Sequence, residues 1–413
     1  MGVKDIIKTV LPDNTIVRMK DTLNFINNKR MLQKHAKVLP YEKGAYPKGI
    51  NLLGDIKAET GLGQSMRHVA RLLKYCEIPF VVVQLDSPGG LSRTDHEFDS
   101  YIVEEPKYSI NLIHVNANIW AETYLKLPQS FLDKRYQICF WLWELMEFPK
   151  KWQPCIETLD ECWTPSEFIS DSLRKCTDKT VRTLPYVVST KPSDKYDRAY
   201  FDLPEDRFLF LMMYDFKSIS ERKNPKAAIA AYKGFYNRIK ELNGERPGLV
   251  VKVNHLKGGK ELEMLKGELE GIDDVYYITE NLEREQVDSL MRNVDVLISL
   301  HRSEGFGLPI AEAMQMGTPV IATDWSANVE FASGDGCIPI SYELIKLEKQ
   351  IGPYEKGNVW ADAKVEVASE AMYKLWSDKA YMSKMREGAP KTIEQALGYE
   401  VISKRFMEYY EIL

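Results

Sequence analysis

Twelve short apolar runs, each separated from the next by a stretch with helical spacing, limit the folds open to this chain more than any other feature. The first six fall at residues 50–53, 80–85, 110–114, 137–142, 161–164 and 181–184, and the second six at 208–213, 249–253, 275–278, 294–300, 320–322 and 338–340. Runs of this length, rich in β-branched residues, suit strands buried on both faces, and such strands joined by helices form parallel sheets. Two series therefore predict two doubly wound α/β sheets. Length agrees, because 413 residues exceed the size to which a single core usually grows. Residues 185–206 carry Ser189, Pro192, Ser193 and Pro204 without sustained periodicity and are the expected linker. Val401, Ile402, Phe406 and Tyr409 give residues 399–413 the pattern of an amphipathic helix. The expected division is an extension over 1–48, a first domain over 49–184, the linker, a second domain over 207–395 and a closing helical segment over 396–413.

At 44% apolar and 28% charged residues the composition is that of an ordinary globular protein. No run approaches the ~18–20 apolar residues of a membrane span, and the start of the chain lacks the apolar core of a secretion signal, so a cytoplasmic location is expected. Charge is uneven: residues 1–48 hold ten Lys or Arg against four Asp or Glu, a net +6, which leaves −11 on the rest of a chain whose total is −5. A basic segment with Leu23, Phe25 and Ile26 suits peripheral contact with an anionic bilayer, and equally suits a solvated extension. Pro12 and the pair Asn27 and Asn28 are expected to interrupt any long helix there. No nucleic-acid partner is expected. Six cysteines without a C-x-x-C pair read as reduced buried thiols, with no metal needed for folding.

The densest chemistry lies between 294 and 323. There a strand-like run is followed by a loop with Glu304, Gly305 and Gly307, then by Pro309 at the expected first helical turn, and then by Glu312. The glycines let the backbone turn sharply, and the helix start presents unpaired amides and a positive dipole end to a phosphate. Two carboxylates beside such an anion seat suit a phosphate-bearing ligand that also has hydroxyls.

Glu304-Gly-Phe-Gly-Leu-Pro-Ile-Ala-Glu312 resembles the Glu-x7-Glu motif of the retaining glycosyltransferases of family 4, of the type that builds bacterial surface glycans. Residues 299–304, 323–328, 357–362, 141–144, 163–166 and 221–225 are similar to further stretches of that family. The resemblance covers 49 to about 395. It implies a GT-B architecture of two facing Rossmann-like domains with a central cleft, closing over a nucleotide diphosphate sugar, and a final helix that crosses back to the first domain. It also implies that Glu312 accepts from the ribose and Glu304 from the donor sugar, while amides of Gly305, Phe306, Gly307 and Leu308 hold the diphosphate. Asn281 and Leu282 would lie near the base. The mechanism implied is transfer on one face of the sugar without a cofactor or a divalent ion.

Other candidates are placed by pattern and by the same likeness. Gly61 and Gly63 precede an amphipathic helix and read as a diphosphate-contacting loop or as a structural turn. Lys217, Arg222 and Lys223 follow a strand and suit neutralisation of a leaving diphosphate, with Arg222 the first choice and Lys223 the second. His114 ends a strand, where ligands of open α/β sheets collect, and is similar to the family's histidine near the reacting carbon. Asp86 and the loop 87–97 are placed to receive an acceptor. Trp141, Trp143, Glu144 and Trp163 form either an acceptor wall or core. The expected activity is hexosyl transfer from a nucleotide sugar (UDP, GDP or dTDP) to a glycan, lipid-linked or glycoprotein acceptor. The rivals are a catalytically silent binding partner of the same fold and an NAD-dependent oxidoreductase. An incomplete glycine fingerprint, with Met66 where a third glycine belongs, disfavours the latter.

Overall fold

The computed structural model describes residues 13–86, 92–216, 218–240, 242, 246–254 and 259–413. The chain divides into two compact units, one of residues up to 185 and one of 186–413 together with the short pieces 144–146 and 166–168. Each is an α/β unit with a parallel sheet.

In the first unit the described strands are β1 (Ile50–Gly54), β2 (Phe80–Gln84), β3 (Ile102–Val103), β4 (Ile110–His114), β5 (Tyr136–Phe140), β6 (Glu161–Thr164) and β7 (Thr180–Thr183). Their order is β3-β2-β1-β4-β5-β6-β7, every pairing parallel. All five residues of β1 and of β4 are buried, which explains runs without polar alternation. One rung of the sheet is polar. Asn51 Nδ2 donates to Asn111 Oδ1 at 2.9 Å, and Asn111 Nδ2 donates to Gln137 Oε1 at 3.0 Å, across strands that pair in register. The helix Gly61–Tyr75 buries Met66, Val69, Leu72 and Leu73, and Thr60 caps it by accepting from the Gly63 amide at 3.2 Å.

Two features of this unit depart from expectation: the short strand β3 lies outside the six expected runs, and the helix near the start of the chain is not interrupted. Residues Asp13–His35 form a single helix that runs through Asn27 and Asn28 without a break. Asn28 is tolerated because it is buried on the inner face, where its Nδ2 donates to the Lys151 carbonyl at 2.8 Å. The outer face exposes Met19, Leu23, Phe25 and Ile26. No helix among the described residues is long and apolar enough to cross a membrane.

The second unit contains β8 (Leu209–Asp215), β9 (Gly248–Asn254), β10 (Val275–Ile278), β11 (Val296–Ser299), β12 (Val320–Thr323) and β13 (Cys337–Ile340), again all parallel, in the order β10-β9-β8-β11-β12-β13. Phe210, Val251, Val253, Ile298, Tyr232 and Phe235 are among its core residues. An antiparallel pair, β14 (Tyr342–Lys346) and β15 (Val359–Ala363), was not expected from the sequence. Residues Tyr399–Ile412 form the last helix, which groups with this unit. All six cysteines are free thiols.

Candidate functional site

Strand order in the second sheet reverses between β8 and β11, and ligands of open α/β sheets bind beyond the carboxyl ends of strands at such a point. The chain places its charges there. After β8, one helical turn, Ser220–Lys223, ends at Asn224, whose left-handed backbone (φ 52°) redirects the chain into the helix Pro225–Ile239. After β11, the loop through Ser303 and Glu304 reaches Gly307, and the helix Leu308–Gln315 follows with Pro309 in its first turn. Gly307 has φ 96°, and an added Cβ would lie 3.3 Å from the Asn328 side chain, so the turn needs glycine twice over.

These two loops bring Arg222, Lys223 and Glu304 together. Lys223 Nζ donates to Glu304 Oε1 at 2.5 Å, and Arg222 Nη1 lies 3.2 Å from Glu304 Oε2. Arg222 Nη1 also donates to the Ser303 carbonyl at 2.7 Å, and its Nη2 lies 3.8 Å from Glu144 Oε1. Glu144 in turn accepts from Tyr354 Oη at 3.1 Å. Burial by itself would raise the Glu304 carboxyl, but Lys223 and Arg222 outweigh it and hold the group down at about 2. Arg222 is held above its ordinary range: burial opposes its charge, and Glu304 and Glu144 more than restore it. Glu304 is therefore an anion at neutral pH, clamped between two cations. With Met212, Tyr214, Leu300, Gly307 and Pro309, Lys223 and Glu304 line one pocket.

Arg302 and Asp362 brace the cation turn from behind. Arg302 N donates to the Arg222 carbonyl at 2.7 Å, its Nη1 to the Glu221 carbonyl at 3.0 Å and its Nε to Asp362 Oδ1 at 2.8 Å. His301 is buried, accepts no role in the pocket lining, and fixes its loop through Asn328 (2.9 Å) and Ser299 (3.1 Å). Phe306 is a core residue, edge-on to Tyr186 at 4.8 Å and tilted against Phe331 at 5.0 Å. Gly305 accepts from Ser166 Oγ at 2.9 Å through its carbonyl. Leu308 opens the helix.

Glu312 is buried one turn into that helix, and a partner appears that no motif announced: Arg284 Nη2 lies 3.0 Å from Glu312 Oε2 and also pairs with Asp288. The two carboxylates hold Arg284 above its usual range against the effect of burial. Asn281 and Leu282 follow β10, and their loop is tied down by the buried Lys252, whose Nζ donates to the Glu280 carbonyl at 2.8 Å. Burial pushes the Lys252 ammonium down to about 8. Lys217 lies outside the described residues.

The remaining candidates belong to the first unit. His114 stands where the first sheet reverses order, at the end of β4 beside β1. Its ring stacks on Phe140 at 4.6 Å, neither ring nitrogen has a hydrogen-bond partner among the described residues, and burial pushes its pKa down to about 3. It is a neutral imidazole. Gly63 is required by close packing, because a Cβ would meet the Ala58 carbonyl oxygen at 2.1 Å, whereas Gly61 faces open space. Arg67, on the same helix, is fully buried and donates to the Ile56 and Ala58 carbonyls at 2.7 and 3.1 Å, so it builds the loop. Asp86 is exposed and lies 3.5 Å from Arg93. Arg93 is mainly engaged by the buried Asp55. Of the two readings open for the tryptophans, packing favours core. Trp141, Trp143 and Trp163 are almost fully buried, and their indole N–H groups donate to the Val115 carbonyl, the Glu147 carbonyl and Glu161 Oε2. Among the described residues no group of three or more His, Cys, Asp or Glu is placed to hold a metal ion.

Residues 195–337 match the family model of the glycosyl transferases group 1, a span that contains Arg222, Lys223, Glu304 and Glu312. A stretch of 98 residues is 33% identical to the MMP α-(1→4)-mannosyltransferase of Mycolicibacterium hassiacum, a match spanning 24% of this chain and 24% of that curated relative. Among solved structures, the chain is similar to a glycosyltransferase from Rickettsia africae (13% identity, 89% of this chain and 98% of that one, TM-score 0.62). It is also similar to HepE of Anabaena, solved in complex with UDP and glucose (13%, 89% and 100%, 0.62), and to the sucrose-phosphate synthase of Thermosynechococcus elongatus (15%, 88% and 98%, 0.63). The fold is that of the GT-B glycosyltransferases.

Proposed function

We propose that the protein is a retaining glycosyltransferase of the family-4 type, which moves a sugar from a nucleotide diphosphate sugar to a glycan, lipid-linked or glycoprotein acceptor. The observation that carries this reading is a buried carboxylate clamped by Arg222 and Lys223 beside the start of the helix Leu308–Gln315, all within the span matched by the family model. The two cations and the amides at the helix start suit a diphosphate, whose charge grows as it leaves. Glu304 suits acceptance from hydroxyls of the donor sugar, and Glu312, oriented by Arg284, from those of the ribose. In the step proposed, the bond from the anomeric carbon to the phosphate oxygen breaks, a bond to the acceptor oxygen forms on the same face, and the acceptor's proton passes to the departing phosphate. Charge neutralisation by side chains makes a divalent ion dispensable, so EDTA should leave the rate unchanged.

The decisive experiment is a screen of UDP-, GDP- and dTDP-sugars for protection against thermal unfolding, in which a ligand at ~100 times its dissociation constant adds ~2.7 kcal/mol. Transfer with the donor so found, followed by the anomeric configuration of the product, tests retention. Absence of protection by every donor would sink the reading. Peripheral membrane contact through residues 1–48 belongs to the same proposal. It is supported by the +6 charge of that segment and by the exposed Leu23, Phe25 and Ile26, and flotation with anionic vesicles checks it.

A further inference from the structure

Glu304 occupies the very cations that a diphosphate needs. Both of its oxygens are engaged, Oε1 by Lys223 at 2.5 Å and Oε2 by Arg222 at 3.2 Å, and the residue is only 9% exposed. Lys223 and Glu304 face one another across the wall of one pocket, with the ammonium directed at the carboxylate. An anion that binds these cations competes with the carboxylate for them. Among the described residues the charges nearby are already paired: Arg222 is shared with Glu144, so two cations face two carboxylates, and Arg302 behind them is engaged by Asp362.

The consequence depends on what the anion carries. A bare diphosphate takes Arg222 and Lys223 and leaves a buried carboxylate without a partner, which is costly in a site this enclosed. A diphosphate bearing a polyhydroxyl group does not, because its hydroxyls donate to the oxygens that the cations have left. We infer that Glu304 competes with the diphosphate for Arg222 and Lys223 and thereby makes the site select sugar-bearing diphosphates over bare ones. This rests on the function proposed above and deepens it: the same residue that receives the sugar also rejects the product once the sugar has gone.

The test uses the full chain and inorganic pyrophosphate, a probe that needs no knowledge of the base. Calorimetric titration of wild type, Glu304→Gln, Glu304→Ala and Glu312→Gln should show pyrophosphate binding at least about tenfold tighter in both Glu304 variants, equivalent to ~1.4 kcal/mol, with Glu312→Gln unmoved. In a Lys223→Met background the gain from Glu304→Gln should shrink, since one of the contested cations is gone. Melting curves establish that each variant is folded, and the isosteric Gln variant stands if Ala does not fold. Unaltered or weaker pyrophosphate binding in Glu304→Gln, or no binding by any form, overturns the inference. These outcomes are separable from failure of the functional reading: lack of protection by every nucleotide sugar sinks that reading, whereas unaltered pyrophosphate affinity with donors still bound sinks only the competition.

Discussion

Each unit buries one arginine near the carboxyl end of its sheet, and the two differ in how far the main chain holds them. Arg67 in the first unit donates to two main-chain carbonyls and to Gln64, and lies 3.3 Å from Asp95 and 3.8 Å from Glu59. Its carbonyl partners are fixed by the loop they belong to. Arg222 in the second unit gives one bond to a carbonyl and turns the rest of its charge toward Glu304 and Glu144, side chains that can exchange it for another anion. Burial and paired carboxylates thus do not separate a structural arginine from a functional one; the further main-chain carbonyl that ties Arg67 to its own loop marks the difference.

The contrast can be broken by exchange. Arg222→Met should cut transfer by about 10³–10⁴-fold, ~4–5 kcal/mol of transition-state stabilisation, and lower the melting temperature less than Arg67→Met because Lys223 still pairs with Glu304; initial rates with the donor from the thermal screen measure the first effect. Arg67→Met should do the reverse. Leaving its carbonyls and acids unpaired should lower unfolding stability by ~3–5 kcal/mol in a denaturant melt, with pyrophosphate affinity unchanged in the folded protein. Equal effects on stability from both substitutions would erase the distinction.

Acid sharpens it further. The Glu304 carboxyl is depressed from 4.5 to about 2, so the stability its ion pairs contribute is complete above pH ~4.5 and is lost as pH falls through about 2. Across that window the stability advantage of wild type over Glu304→Gln should shrink by about 3 kcal/mol, read as the difference between their urea melts at each pH. Glu312→Ala should weaken nucleotide binding by about 10–100-fold, ~1.4–2.8 kcal/mol, by calorimetry, because it removes the acceptor and leaves Arg284 to Asp288 alone. The smallest effect is an absence. With His114 pushed down to about 3 and His301 lowered by burial, kcat/KM should show no histidine inflection near pH 6.5.

Much of this was legible beforehand. Proline placed the starts of the helices Pro225–Ile239 and Leu308–Gln315, and uninterrupted apolar runs placed most strands, because both signals act within a few residues of the feature they mark. Arg222, Lys223, Glu304 and Gly307 could be nominated for the same reason. What stayed hidden depends on partners distant in sequence. Arg284 reaches Glu312 from another helix, and Lys252 sits inside a strand whose burial argues against a lysine until the Glu280 carbonyl is seen beside it. The strand β14 exposes Glu343, Leu344 and Lys346, so its pattern lacks a buried face to read, although its partner β15 buries Trp360, Ala361 and Ala363. The helix Asp13–His35 was obscured by Asn28, whose side-chain bond to Lys151 is invisible along the chain.

The amide rung through Asn51, Asn111 and Gln137 bears on how the first sheet finds its alignment. Strands such as β1 and β4, apolar on both faces, could slide by two residues and still present oil to either side, so hydrophobic patterning cannot detect that error. Sliding would strand three carboxamides in a dry interior, and the misaligned sheet would be penalised wherever it formed. The rung works as a notch that only one alignment fits.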